Sequence, residues 1–158
     1  MTISLQSVCE TDDPFLFELY ASTREAELSQ VPWTDTQKQA FLQMQFDAQK
    51  RGYKSTHPGA EHQLICADGV PVGRLYLDRL ADRLHILDIT VAPRFRHSGF
   101  GSCVLRGILD EANTKNKMVT IYVESFNPSV RLFQRLGFEV ASVDGFQLLL
   151  ERHPGTTG

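Results

Sequence analysis

Basic residues and glycines crowd one stretch of the chain, Val91-Ala92-Pro93-Arg94-Phe95-Arg96-His97-Ser98-Gly99-Phe100-Gly101-Ser102. The apolar run Leu84 to Val91 before it predicts a strand. After it, Val104, Leu105, Ile108, Leu109 and Ala112 recur at helical spacing. A chain that leaves a strand, turns through glycine and enters a helix aims several unpaired backbone N–H groups at one point. Together with the positive end of the helix, these groups suit phosphate oxygens. Gly99 and Gly101 remove Cβ atoms where a ligand must approach the backbone, while Arg94, Arg96 and His97 add positive charge. Without the glycines the basic residues would be a solvated turn. With them, the stretch reads as a pyrophosphate cradle.

Two common phosphate loops are excluded. A Walker A loop needs Gly-Lys-Ser/Thr after its first glycine and four spacers, and no such run occurs. A dinucleotide fingerprint needs glycine or alanine three residues after Gly101, where Val104 stands. What remains is Arg96-x-x-Gly99-x-Gly101, followed downstream by Asn127-Pro128-Ser129-Val130-Arg131-Leu132-Phe133-Gln134-Arg135-Leu136-Gly137-Phe138. This second motif follows an alternating strand, Val119 to Val123. Asn127 fits a helix N-cap, Pro128 the first helical position and Gly137 the left-handed residue after the helix.

On these two motifs, in this order, the sequence resembles the GNAT superfamily of acetyl-CoA-dependent N-acyltransferases. That family's pyrophosphate loop carries Arg/Gln-x-x-Gly-x-Gly/Ala, and a later helix carries Leu-Tyr-x-Lys/Arg-x-Gly-Phe. By element order the resemblance covers residues 3–151, and it is specific at 84–105 and 119–138. It implies an α+β fold of GNAT type, with a mixed, mostly antiparallel sheet of about seven strands and helices on both faces. It also implies a splay between the two central strands where the acyl-CoA enters.

The co-substrate implied is acetyl-CoA, with no metal. The backbone amides of His97, Ser98, Gly99, Phe100, Gly101 and Ser102 would hold the pyrophosphate, with Arg96 beside them. Val91 would offer backbone bonds to the pantetheine arm, and Asn127 and Phe133 would lie along it. Proteins of this family build part of the acceptor pocket between their first two helices, where Trp33 follows Val31-Pro32. A tryptophan capping the core is the plainer reading of that residue.

Acyl transfer from a thioester to an amine needs a neutral amine, although an alkylamine has a pKa of about 10. A histidine, with a reference pKa of about 6.5, suits removal of that proton at neutral pH. His85, six residues upstream of Val91 where several family members carry a catalytic Glu or His, is the first candidate. Glu124 and Asp88 compete, because carboxylates in apolar strands are unusual unless they face a cleft or bind backbone. The departing thiolate, with a pKa of about 8.5, leaves without much protonation. Phe133 stands where the family often places a tyrosine as general acid. Tyr122 on the preceding strand could supply a hydroxyl instead, or be a half-buried strand aromatic.

Composition sets the outer bounds. A chain of 158 residues falls in the range of one domain, here expected over 1–152 with a disordered tail at 153–158. Hydrophobic residues make up 42% and charged residues 22%, so a disordered or fibrous class is excluded. A net charge of −3 argues against a nucleic-acid partner. Cys9, Cys66 and Cys103 are odd in number and lack metal-ligand spacing, so they read as reduced thiols and mostly small apolar fillers. The first residues show no secretory pattern, and no run approaches the roughly 20 apolar residues of a membrane span. These readings predict a cytoplasmic protein with a small-molecule or peptide amine as acceptor. Dimers are common among similar proteins, which puts a homodimer among the expected assemblies.

The remaining elements must position this chemistry. Ile3 to Val8 alternates as a strand, and Phe15 to Leu28 has helical spacing. Thr34-x-x-Gln37 forms a capping box for a helix through about Gln49, followed by a loop over 51–60. His62 to Ala67, Asp68-Gly69 and Val70 to Leu77 read as a hairpin. A helix over 128–136 and strands at about 138–143 and 146–151 complete the chain. The function expected is acetyl transfer from acetyl-CoA to a primary amine by direct attack. The alternative is a CoA-binding regulatory module of the same fold that has lost catalysis.

Overall fold

A computed structural model describes residues 1–155; the last residues of the expected tail, 156–158, lie outside the described residues. In chain order the elements are β1 (Ile3–Ser7), α1 (Asp13–Ser29), α2 (Asp35–Thr56), β2 (Glu61–Ala67), β3 (Val70–Arg79) and β4 (Arg83–Val91). They continue with α3 (Phe100–Thr114), β5 (Met118–Glu124), α4 (Val130–Arg135), β6 (Glu139–Asp144) and β7 (Gln147–Arg152). The strands form one seven-stranded sheet in the order β1-β2-β3-β4-β5-β7-β6. Every neighbouring pair is antiparallel except β4 and β5. This is the mixed, mostly antiparallel α+β sheet that the family resemblance implies.

Local chemistry explains most boundaries. At the start of α2, Gln37 N donates to Thr34 Oγ1 (3.1 Å) and Thr34 N donates to Gln37 Oε1 (2.9 Å), which closes the capping box. Asp68 and Gly69, at φ 50° and 82°, make the tight β2–β3 turn. Strand alternation then sorts side chains between two cores. Leu75, Leu77, Leu84, Ile86, Val119 and Ile121 pack against α3, whose buried stripe includes Val104, Leu105 and Ile108. On the opposite face, Leu64 and Cys66 meet Leu16, Leu19, Leu42 and Phe46 of α1 and α2.

Two expected boundaries are corrected. Helix α2 continues to Thr56 instead of giving way to a loop at residue 51. A mid-helix glycine costs only about 1 kcal/mol, and the extra turns are anchored where the Tyr53 hydroxyl donates to Leu87 O (3.3 Å). Helix α4 starts at Val130, not at 128, and its N-cap is Ser129. The Asn127 Oδ1 accepts from Ser129 N (2.9 Å) and Ser129 Oγ (2.8 Å). Asn127 thus closes an Asx turn ahead of the helix and does not cap it.

The central strands part as expected. β4 and β5 pair only from Arg83↔Met118 to Ile86↔Ile121, and the ladder stops there. On its other edge β4 stays paired with β3 up to Gly73↔Val91, with one irregularity: Leu77 faces Ile86 and Tyr76 faces Asp88. Leu87 is therefore the extra residue of a bulge, located where the splay begins.

The two helix and sheet glycines separate cleanly in a stability assay. A Cβ added at Gly52 meets nothing within 4 Å, so Gly52→Ala should stabilise the fold by roughly 0.4–1 kcal/mol in urea unfolding. A Cβ at Gly73 presses on the Thr90 carbonyl oxygen of β4. Gly73→Ala should accordingly destabilise the fold by about 1–3 kcal/mol. Loss of stability in Gly52→Ala would contradict the extension of α2.

Candidate functional site

At the open end of the splay, β4 runs through Pro93–Phe95 into α3, whose N-cap is Gly99 at φ 83°. His97 is also left-handed, at φ 63°. Among the described residues, none of the amides of residues 97–102 donates a hydrogen bond; the first to do so is Cys103 N, to Gly99 O (3.0 Å). A Cβ built on Gly99 meets nothing within 4 Å, and one on Gly101 meets only Val91 Cγ2 at 3.6 Å. Arg96 Nε donates to Val91 O (3.3 Å), and the Arg94 guanidinium lies 4.9 Å from the Phe95 ring centre. Residues 91–102 contain no carboxylate side chain. Unpaired amides, left-handed backbone and exposed cations make a donor set that fits a pyrophosphate.

The proposed proton carriers share the opposite face of the sheet from α3. Strand pairing sets His85 beside Asp78 and Thr120, and Asp88 beside Tyr76. His85 is buried, with Nδ1 2.7 Å from Thr120 Oγ1. Its ring stacks on His57 (centroids 5.6 Å, 23°) and meets Tyr122 edge-on (5.6 Å, 74°). Tyr122 is exposed on β5, one residue beyond the last β4–β5 pair, and Glu124 is exposed at the strand end. Asp88 is committed elsewhere: it accepts from Arg74 Nε (2.6 Å) and from Thr90 Oγ1 (2.8 Å). The structure thus brings His85 and Tyr122 together, leaves Glu124 up the same strand, and ties Asp88 to a buried arginine.

Burial governs the titration of this face. It pushes His85 down to about 4, with the neighbouring His57 and the Arg83 guanidinium acting in the same direction. It also pushes His62 down to about 4, helped by Arg74; the His62 ring stacks on Tyr76 at 4.3 Å. Tyr53 is driven up to about 12, chiefly by burial and then by Asp88, so it stays a neutral phenol and donates to Leu87 O.

The Acetyltransferase (GNAT) family model matches residues 15–138. The chain belongs to the GNAT acetyltransferase family. No curated protein matches the sequence. Among solved structures, it is similar to the PaiA N-acetyltransferase of Thermoplasma acidophilum in complex with coenzyme A. The TM-score is 0.73 at 16% identity, over 97% of this chain and 99% of that one. It is also similar to the ribosomal-protein-S18-alanine N-acetyltransferase of Escherichia coli (TM-score 0.63, 16% identity, 99% and 97% covered). A GNAT acetyltransferase of Elizabethkingia anophelis with acetyl-CoA bound matches at TM-score 0.62 and 16% identity, over 96% and 97%. Among the described residues no His, Cys, Asp or Glu cluster could hold a metal ion, and no helix is long and apolar enough to cross a membrane.

Set in this GNAT frame, other residues take unexpected places. Phe133 is 3% exposed and packs edge-on against Phe138 (5.2 Å), in the core under α4. Trp33 is half-exposed and meets Phe41 of α2 edge-on at 5.2 Å. Sequence reasoning missed Tyr53 and His57, which α2 delivers only because it runs past Gly52. Their i, i+4 spacing was the available signal. It also missed Asp78 and Arg74, whose partners are remote in sequence. Arg74 is buried between Asp88, Gln49 (2.8 Å) and His62 (3.5 Å).

Histidines held neutral by burial fix the sign of the acid response. Between about pH 6.5 and about 4 the unfolded chain takes up protons that folded His85 and His62 refuse. Stability should therefore be complete above about 6.5 and fall as the pH drops towards about 4. Thermal melts across that window should show the fall, and His85→Phe should reduce it. An unchanged slope in the variant would contradict a buried neutral His85.

Proposed function

We propose that this protein transfers an acetyl group from acetyl-CoA to a primary amine. One observation carries the reading: the unpaired amides of residues 97–102 stand where β4 enters α3, at the open end of a splay between β4 and β5. Acetyl-CoA, when bound, supplies a thioester carbonyl open to attack and a thiolate of pKa about 8.5 as leaving group. The chain supplies the rest. The amides and Arg96 bind the pyrophosphate, with Gly99 and Gly101 giving access to the backbone. The β4 edge from Leu87 to Val91, free of β5, offers main-chain groups along the splay.

The acceptor approaches from the α1/α2 face. A cavity of about 520 Å³ opens there, lined in part by Leu16, Phe46, Lys50, Tyr53, His62 and Tyr76. Tyr76 pairs with Asp88 next to the Leu87 bulge, which connects this cavity to the point where the strands part. The solved neighbour that acts on a ribosomal-protein alanine supports an amine acceptor, small or peptidic. Tyr122, one residue beyond the last β4–β5 pair and edge-on to His85, is the candidate acid. Asp88, held by Arg74, is the weakest of the proposed bases, and Phe133 carries no exchangeable proton.

The alternative, a CoA-binding module without catalysis, rests on Phe133 and is separated by one assay. With acetyl-CoA and a broad panel of amines, the enzyme should release free thiol. A protein stabilised by CoA that releases none would be the binding module. CoA at a hundred times its Kd should stabilise the fold by about 2.7 kcal/mol. Gly101→Val should remove most of that shift by placing a branched side chain beside Val91 in the cradle. A variant that folds normally and keeps the full shift would refute the cradle.

A further inference from the structure

Helix α2 ends on a histidine that faces the sheet. His57 is its C-cap residue, with its amide donating to Tyr53 O (2.7 Å). Its Nδ1 lies 2.8 Å from Asp78 Oδ2, and the Asp78 side chain is 9% exposed. Its ring stacks on His85, which lies one residue before Ile86, where the β4–β5 ladder ends. One helical turn earlier, Tyr53 holds the carbonyl of the bulge residue Leu87. The last turn of α2 therefore sets two side chains on β3 and β4, at the closed end of the splay.

The Asp78 contact decides the chemistry of the ring. A carboxylate only accepts hydrogen bonds, so the imidazole proton must sit on Nδ1 and the lone pair on Nε2. Nε2 has no partner among the described residues, and the His57 side chain remains 24% exposed. A half-open histidine with a carboxylate behind Nδ1 and a bare Nε2 has the form of a general base. His85 differs on each count: it is buried, held down to about 4, and its Nδ1 partner Thr120 can either donate or accept, which fixes no tautomer.

Resting on the acetyl-transfer reading, we propose that His57, steered by Asp78, takes the proton from the attacking amine. The amine nitrogen forms the C–N bond, and its excess proton moves to His57 Nε2. The C–S bond breaks with its electron pair on the departing thiolate, and the imidazolium returns the proton to that thiolate or to water. Asp78 holds the ring and stabilises the imidazolium; it is a positioning residue. His85 is the wall against which the ring lies flat. The titratable groups packed on His57 are Asp78 from β3 and His85 from β4, with Tyr53 one turn back on its own helix; Arg83 acts on His85 behind them.

The first test needs no ligand. Nitrogen-15 NMR of the histidine side chains should show His57 as the Nδ1–H tautomer at high pH, and Asp78→Asn should abolish that preference. A proton on Nε2 in the native protein overturns the proposal. The second test is kinetic. His57→Gln should lower kcat by about a hundredfold or more and remove the acidic limb of the kcat/KM profile, with the CoA-induced thermal shift intact. In His57→Ala, added imidazole should restore part of the rate, which a merely structural role would not allow. Should the His57 variants fail to fold, Asp78→Asn with the same loss of the acidic limb supports the assignment, and an unchanged limb overturns it. Native protein that releases no thiol with any amine overturns the transferase reading and the base with it. Native protein that turns over while His57→Gln keeps kcat and the acidic limb overturns the base alone.

Discussion

The architecture depends on an incomplete pairing. Backbone N–H and C=O groups in a protein interior must find partners, yet β4 and β5 share only the four pairs from Arg83 to Ile86. Beyond Ile86 both strands keep their outer partners, β3 and β7, and lose each other. A sheet divided in this way leaves a slot lined by main-chain groups, and a ligand that lies in it must offer hydrogen bonds along its length. The glycine turn and the first turn of α3 stand at the mouth of the slot, and the bulge at Leu87 stands at its floor. The functional reading follows from that geometry.

The two faces of the sheet divide the labour. Towards α3 and α4 the side chains are aliphatic and aromatic, from Leu75 and Ile86 to Phe133 and Leu150. Towards α1 and α2, β3, β4 and β5 present Arg74, Asp78, His85, Asp88, Thr120 and Tyr122. Every second residue of one strand meets oil while its neighbours meet ionisable groups. Most of these polar groups are satisfied in pairs, such as Arg74 with Asp88 and His57 with Asp78. Such pairing is what makes their burial tolerable.

The sequence made the local features legible. The Thr34 box, the Asp68-Gly69 turn, the glycine turn into α3, the left-handed Gly137 and the apolar stripe of α3 each depend on residues a few positions apart. The run of small and basic residues before α3 belongs to this class, and so does the alternation that sets His85 and Tyr122 on one face. What stayed hidden depends on distant partners. The i, i+4 spacing of Tyr53 and His57 marks a shared helix face but not its remote partners, Leu87 and Asp78, so Gly52 and Pro58 suggested a loop. Asn127 shows the opposite failure: its type fits a cap, but Pro128 and Ser129 let the side chain close a turn first. Asp88 could face a cleft or bind locally, and only the position of Arg74 decided it.

The pairing of β3 with β4 also divides the molecule mechanically. Gly73 lets the two strands press together so closely that a single methyl group would strike the Thr90 carbonyl. That seam welds β1 to β4 into one plate, on which α1 and α2 are mounted. The plate carrying β5, β7 and β6 is joined to it through a ladder four residues long, with α3 spanning the joint. Any widening of the slot therefore turns about residues 83–86 as a door turns on a short hinge. The imidazole and phenol delivered by α2 ride on the fixed frame, so they keep their aim while the door moves.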